Sequence, residues 1–267
     1  MFLLAYLALG ACAGILAGLL GVGGGLIIVP ALMALFAAQG LPEPLILRLA
    51  LGTSLASIMF TSLSSLKSHH AKGGVDWSIF RRITPGILVG TFLGAGIAAL
   101  LSTHFLKLFF IVFLLYVALR MLQNKKPEPA RHLPGKIGMF CIGGLIGGIS
   151  SLVGIGGGSM SVPFMVWCNV SLRNAIGTSA AIGFPIALAG ATGYLFTGLA
   201  YPHLPSACIG YIYLPALFGI SVASIPAAPL GARLAHSLPV TGLRRAFALL
   251  LVVMGARMLA GLFQGLF

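Results

Sequence analysis

Acidic residues are almost missing from this chain. Among its 267 residues only Glu43, Asp76 and Glu128 carry a carboxylate, and charged residues of both signs make up 7%. Soluble domains carry about 25% charged residues, so a hydrated surface is excluded. Three scattered acids supply neither a carboxylate pair for acid–base chemistry nor an acidic metal cluster. No Asp or Glu lies within an apolar run, which leaves no carboxylate to relay protons or sodium through a membrane. Cysteine is scarce too: Cys12, Cys141, Cys168 and Cys208 show no CxxC spacing, and read as single buried thiols. No phosphate-cradling nucleotide loop occurs, so ATP is not a direct energy source unless a partner supplies it. The expectation is a protein with no cofactor, no metal and no catalytic set.

Lys and Arg give a net charge of +13, but no basic stripe with interleaved aromatics appears, and nucleic acid is excluded as a partner. Most of these cations fall between apolar segments, where they set orientation and meet anionic headgroups. The chain is 59% hydrophobic, with a mean hydropathy of +1.09. Its apolar segments read 2–20, 26–38, 45–66, 79–101 and 105–122, then 135–153, 159–168, 174–196, 209–235 and 242–266. Long apolar runs with internal Gly and Pro suit membrane helices better than barrel strands, which alternate in polarity.

Two stretches nearly repeat each other. Residues 21–30 read GVGGGLIIVP and residues 154–163 read GIGGGSMSVP. Arg48 opens RLALGTSLAS and Arg173 opens RNAIGTSAAI, while Leu119-Arg120-Met121-Leu122 is answered by Ala256-Arg257-Met258-Leu259. Three matches in one order mark a duplication, with repeats at 1–122 and 135–267 joined by the polar linker 123–134. The first apolar segment therefore belongs to the fold and is not a cleaved signal, because its counterpart lies mid-chain.

Residues 2–38 as one helix would span about 55 Å, against a hydrocarbon core of about 30 Å. The glycine run must break it, as a helical hairpin or a re-entrant bend, with a short second arm. If each broken segment returns to its own side, thirteen of the 16 Lys and Arg lie on one face and only Arg48, Lys107 and Arg257 on the other. If it crosses once, the division is ten to six. The positive-inside rule favours the first arrangement. The expected fold is an all-α integral membrane protein of two inverted repeats. Each repeat opens on a glycine-broken hairpin and continues with about three transmembrane helices, and the linker is cytoplasmic.

A broken helix at membrane depth exposes backbone groups that must face protein or a wet cavity, and the N–H groups opening the next half-helix favour an anion. Gly23, Gly24, Gly25, Gly156, Gly157 and Gly158 are therefore candidate substrate contacts, the alternative being close helix packing. Thr53, Ser54, Thr178 and Ser179 supply hydroxyls that either donate to an anion or back-bond to the preceding turn. Arg48 and Arg173 stand at matching positions, as anion-attracting guanidiniums at the two mouths or as anchors to headgroups. His69 and His70 read as histidines of the basic loop SHHAKGGVDW, and Asp76-Trp77 as an interfacial turn.

The duplicated glycine motifs, the Gly-Thr-Ser triplets and the Gly-Gly-Val-Asp-Trp loop at 73–77 together resemble the sulfite exporter TauE/SafE family of membrane permeases. That resemblance covers nearly the whole chain. It implies export of sulfite or an organosulfonate across a bacterial inner membrane, which agrees with the anion-seeking features. The second half reads GYIYL where the first has GVDWS-like sequence, so that loop is not expected to act symmetrically. The function expected is secondary transport of a small sulfur oxyanion by alternating access; an anion channel and a permease for another small anion are the alternatives. The expected partners are a small anionic substrate and the lipid bilayer, with oligomeric state open.

Overall fold

The computed structural model describes residues 2–21, 24–123, 132–234 and 240–263. Of the linker, 124–131 lie outside the described residues, as does Gly23 of the first glycine run. The first half holds α1 (Phe2–Leu20), α2 (Gly25–Ala38), α3 (Glu43–Ala71), α4 (Trp77–Leu100) and α5 (Thr103–Leu122). The second holds α6 (Lys136–Val153), α7 (Gly158–Trp167), α8 (Leu172–Leu199), α9 (Leu214–Leu234) and α10 (Val240–Phe263). A two-stranded ribbon, β1 (Cys208–Ile209) and β2 (Ile212–Tyr213), pairs Cys208 with Tyr213 ahead of α9. Each apolar segment of the sequence thus contains one helix, the segment 209–235 opening with part of the ribbon before α9. Seven helices among the described residues are long and apolar enough to cross a membrane.

Packing follows the duplication. α1 lies on α9 and its counterpart α6 lies on α4; α2 lies on α3 and α7 on α8. α5 packs on α10, and α3 on α8. Small residues explain the closeness of the first pair. Gly10, Gly14 and Gly18 recur every fourth residue on one face of α1, and a Cβ on any of them would strike the α9 backbone at Ile220, Ser224 or Ala228. Gly86, Gly90 and Gly94 of α4 meet Phe140, Gly144 and Gly148 of α6 in the same way. Lipid offers no hydrophobic gain for helix association, so close backbone contact must supply it.

α3 and α8 run antiparallel, with Gly52 against Tyr194, Leu55 against Gly190 and Ser62 against Gly183. They are largely enclosed by the other helices, whereas α4, α5 and α9 turn apolar side chains such as Leu93, Val112 and Phe218 outward. Enclosure is what permits α3 its hydroxyls: Ser54, Ser57, Thr61, Ser62 and Ser65 are all buried. The basic loop begins later than the sequence suggested. α3 continues to Ala71, so His69 sits in its last turn, 5% exposed, rather than in a loop.

Candidate functional site

The glycine breaks have the same geometry in both halves. α1 ends at Leu20 and Gly21 turns left-handed (φ 66°); Gly24 is left-handed again (φ 72°) as the N-cap of α2. α6 ends at Val153, Gly154 turns at φ 69°, and Gly157 caps α7 at φ 73°. Such angles cost a side-chain-bearing residue about 1–2 kcal/mol, which is why glycine stands at all four positions. The half-helices are short, 14 residues for α2 and 10 for α7. At 1.5 Å per residue these are about 21 and 15 Å, too short to cross the core. Pro30 and Pro163 each stand at the sixth helical position.

The Gly-Thr-Ser triplets clamp these breaks across the halves. Ser54 Oγ donates to the Gly154 carbonyl at 2.8 Å, and Ser179 Oγ donates to the Gly21 carbonyl at 3.1 Å. Thr53 Oγ1 accepts from Tyr213 N at 2.9 Å, and Thr178 Oγ1 accepts from Asp76 N at 2.8 Å. The glycine of each triplet makes room for this: a Cβ on Gly52 or Gly177 would collide with the carbonyl oxygen of Tyr211 or Gly74. The four hydroxyls therefore neither back-bond to their own helix nor stand free. The 73–77 and 210–214 loops occupy equivalent places despite unlike sequences, because the clamp uses only their backbone N–H groups. Asp76 adds a cap, its Oδ1 accepting from Ser78 N and Ile79 N.

The arginines are also committed to backbone. Arg48 donates to the carbonyl oxygen of Leu101 at 3.0 Å, at the C-terminal end of α4, and Arg173 to Lys72 at 2.6 Å, at the end of α3. A guanidinium at a helix C-terminus meets the negative end of the dipole. Beside Arg48, burial raises the Tyr211 phenol above its ordinary value, partly offset by the cation.

The halves differ where sequence comparison pointed to no role. The N-terminus of α7 is surrounded by hydroxyls: Ser161 Oγ lies 2.8 Å from Ser179 Oγ, and the buried Oγ atoms of Ser150 and Ser159 have no partner. The first half has Ala17, Leu26 and Ile28 at the matching positions. No Asp or Glu is buried among the described residues, and no group of His, Cys, Asp or Glu there is arranged to hold a metal. A half-helix opening inside the protein, with two unpaired hydroxyls, Ser150 and Ser159, close to it and no buried carboxylate among the described residues, has the chemistry that suits a small anion.

Comparison with known proteins agrees with this architecture. The family described as sulfite exporter TauE/SafE matches residues 6–258. The chain belongs to the TauE/SafE family. It is 37% identical over 258 residues to a probable membrane transporter protein of Haemophilus influenzae, covering 96% of this chain and 98% of that one. Probable membrane transporter proteins of Methanocaldococcus jannaschii and Bacillus subtilis are 28% and 27% identical, each covering 92% of this chain and 91% and 96% of their own lengths. No solved structure matches it. This TauE/SafE chain is accordingly a multi-pass membrane transporter, and its outward apolar faces are those that lipid covers.

Proposed function

We propose that this transporter exports a small sulfur-containing oxyanion, sulfite or an organosulfonate, by alternating access between two inverted repeats. The observation that carries the reading is the α7 N-terminus, with Ser150 and Ser159 beside it as buried hydroxyls lacking partners. An unpaired buried hydroxyl costs about 1–3 kcal/mol, a penalty that an oxyanion accepting both protons removes. The helix opening adds partial positive charge, and no buried carboxylate opposes it.

Support for the inverted arrangement comes from the antiparallel α3–α8 pair and from the charge division of the loops. Support for a moving device comes from the clamps. Each half holds the other's glycine break through one hydroxyl, so releasing Ser54 or Ser179 frees one break at a time. The substrate class follows the family description and the neutral, donor-rich chemistry at α7.

The test is sulfite transport in proteoliposomes by Ser150→Ala and Ser159→Ala. Losing one hydrogen bond to an anion raises the apparent KM about tenfold or more. Unchanged KM in both variants removes the anion from the α7 N-terminus.

A further inference from the structure

α3 is the most enclosed of the membrane-length helices, yet one narrow stripe of it is open. Phe60 is 37% exposed and Leu63 43%, and Lys67 and His70 follow them on the same face at spacings of four and three. Two neighbours flank the stripe. On one side Ser64 Oγ donates to the Ile225 carbonyl of α9 at 2.7 Å. On the other, the loop 72–76 brings the start of α4 beside His70. Trp77 Nε1 donates to His70 Nδ1 at 3.4 Å, and the two rings meet edge to face at 5.4 Å. Phe80 meets Trp77 edge to face as well. Away from that contact α3 and α4 each lie on α8 rather than on one another, which leaves the stripe uncovered.

Two cations stand where this crevice opens. Lys67 comes one turn before His70 and Arg81 one turn after Trp77, on helices that run in opposite directions. Both are therefore about 5–6 Å deeper than the ring contact, at one level on adjoining helices. Both are exposed, and among the described residues neither is in an ion pair. Asp76, the carboxylate of this loop, is taken up in capping α4. Because His70 Nδ1 accepts, the proton of the neutral ring sits on Nε2, a further donor. Arg233, exposed in the last turn of α9, adds a cation on the far flank. Deeper still the exposed surface is apolar, with Leu63 and Phe60 on α3, Leu88 on α4 and Ile225 on α9.

The second half has no such arrangement. Counted from the triplets, Lys67 and His70 correspond to Thr192 and Leu195 of α8; counted from the clamped loops, Trp77 and Arg81 correspond to Leu214 and Phe218 of α9. Those four residues carry no charge. The positive-inside rule asks for cations on one face. It does not ask for two at one depth on adjoining helices, above open apolar surface and beside an interfacial tryptophan.

We propose that this crevice binds one anionic phospholipid, its phosphate between Lys67 and Arg81 and an acyl chain along Leu63 and Phe60. Ammonium and guanidinium both donate to phosphate oxygens, and Trp77 marks the headgroup level. A free phosphate would leave the apolar floor bare, and a zwitterionic lipid would bring its own cation against two others. The binding is independent of the transported substrate. Only the leaflet that supplies the lipid, the cytoplasmic one, rests on the orientation proposed above.

The experiment uses the full chain carrying Trp167→Phe, which leaves Trp77 as its one tryptophan. In vesicles of phosphatidylcholine and phosphatidylglycerol, with either lipid brominated in its acyl chains, quenching of Trp77 fluorescence gives the ratio of the two affinities. The parent is expected to favour phosphatidylglycerol about twentyfold, each cation near the surface contributing about fivefold. Lys67→Gln and Arg81→Gln should each lower that ratio about fivefold, and the double variant should bring it near one. Exchange of the two, Lys67→Arg with Arg81→Lys, should keep it, as should Arg120→Gln at the end of α5. Equal quenching by the two lipids in the parent would overturn the proposal. A preference that survives the double glutamine variant would also overturn it, by assigning the attraction to the charged face as a whole. Loss of the preference when inorganic phosphate replaces chloride at equal ionic strength would reject the lipid in favour of a free anion.

Discussion

His69 and Tyr194 do the same work from equivalent positions in the two halves. His69 Nε2 lies 3.3 Å from the Gly18 carbonyl near the end of α1, and Tyr194 Oη donates at 3.0 Å to the Ser151 carbonyl near the end of α6. Gly18 and Ser151 both stand three residues before a left-handed glycine, where the last helical carbonyls need partners. The pair shows how far the duplication persists after its side chains have diverged. His69→Tyr is therefore expected to fold and enter the membrane normally. His69→Ala, which leaves the Gly18 carbonyl short of a partner, should cost about 1–3 kcal/mol in thermal unfolding.

The two serine clamps are not equally loaded. Ser54 serves one carbonyl, whereas Ser179 serves Gly21 and also meets Ser161. Ser179→Ala strands two polar groups and Ser54→Ala one, each worth about 1–3 kcal/mol. The midpoint of thermal unfolding should fall further for Ser179→Ala, and equal falls would contradict the asymmetry.

Gly24→Val and Gly157→Val should abolish transport while leaving the protein in the membrane. Both positions are left-handed, and a Cβ at Gly24 would stand 2.8 Å from the Ala13 carbonyl oxygen. A β-branched residue there pushes the half-helix off its axis. Flow of labelled sulfite, measured beside quantitative immunoblots of the membrane fraction, checks both parts; full activity in the two variants would leave the glycines only a packing role.

Arg48→Gln should destabilise more than Arg173→Gln. Arg48 is half-buried and serves the end of α4, where it reaches both Ala99 and Leu101. Arg173 is exposed and holds one carbonyl. Thermal unfolding ranks them, and the reverse order would show that Arg48 is not a strut.

The helix pattern was legible because its signals are local. The run Gly21–Gly25 with Pro30 cannot continue a helix, and the same run with Pro163 recurs, so short α2 and α7 could be read directly. Their partners could not. The clamp from Ser54 to Gly154 joins residues 100 positions apart, and no local pattern encodes it. The 73–77 and 210–214 loops looked unrelated because their shared task falls on backbone N–H groups, which leave no mark on residue identity. Ser62 and Ser65 carried no signal either, since hydroxyls in an apolar helix ordinarily back-bond. Only the structure sets Ser65 apart from Ser57: Ser57 back-bonds to the Thr53 carbonyl, whereas the Ser65 hydroxyl has no partner.

The most direct test of the account is counterflow of radiolabelled sulfite in proteoliposomes, competed by methanesulfonate, thiosulfate and chloride. The account predicts saturable exchange that the two sulfur oxyanions suppress and chloride leaves nearly unchanged. Flux that fails to saturate and follows voltage alone, or no exchange by protein shown to be folded, would contradict it.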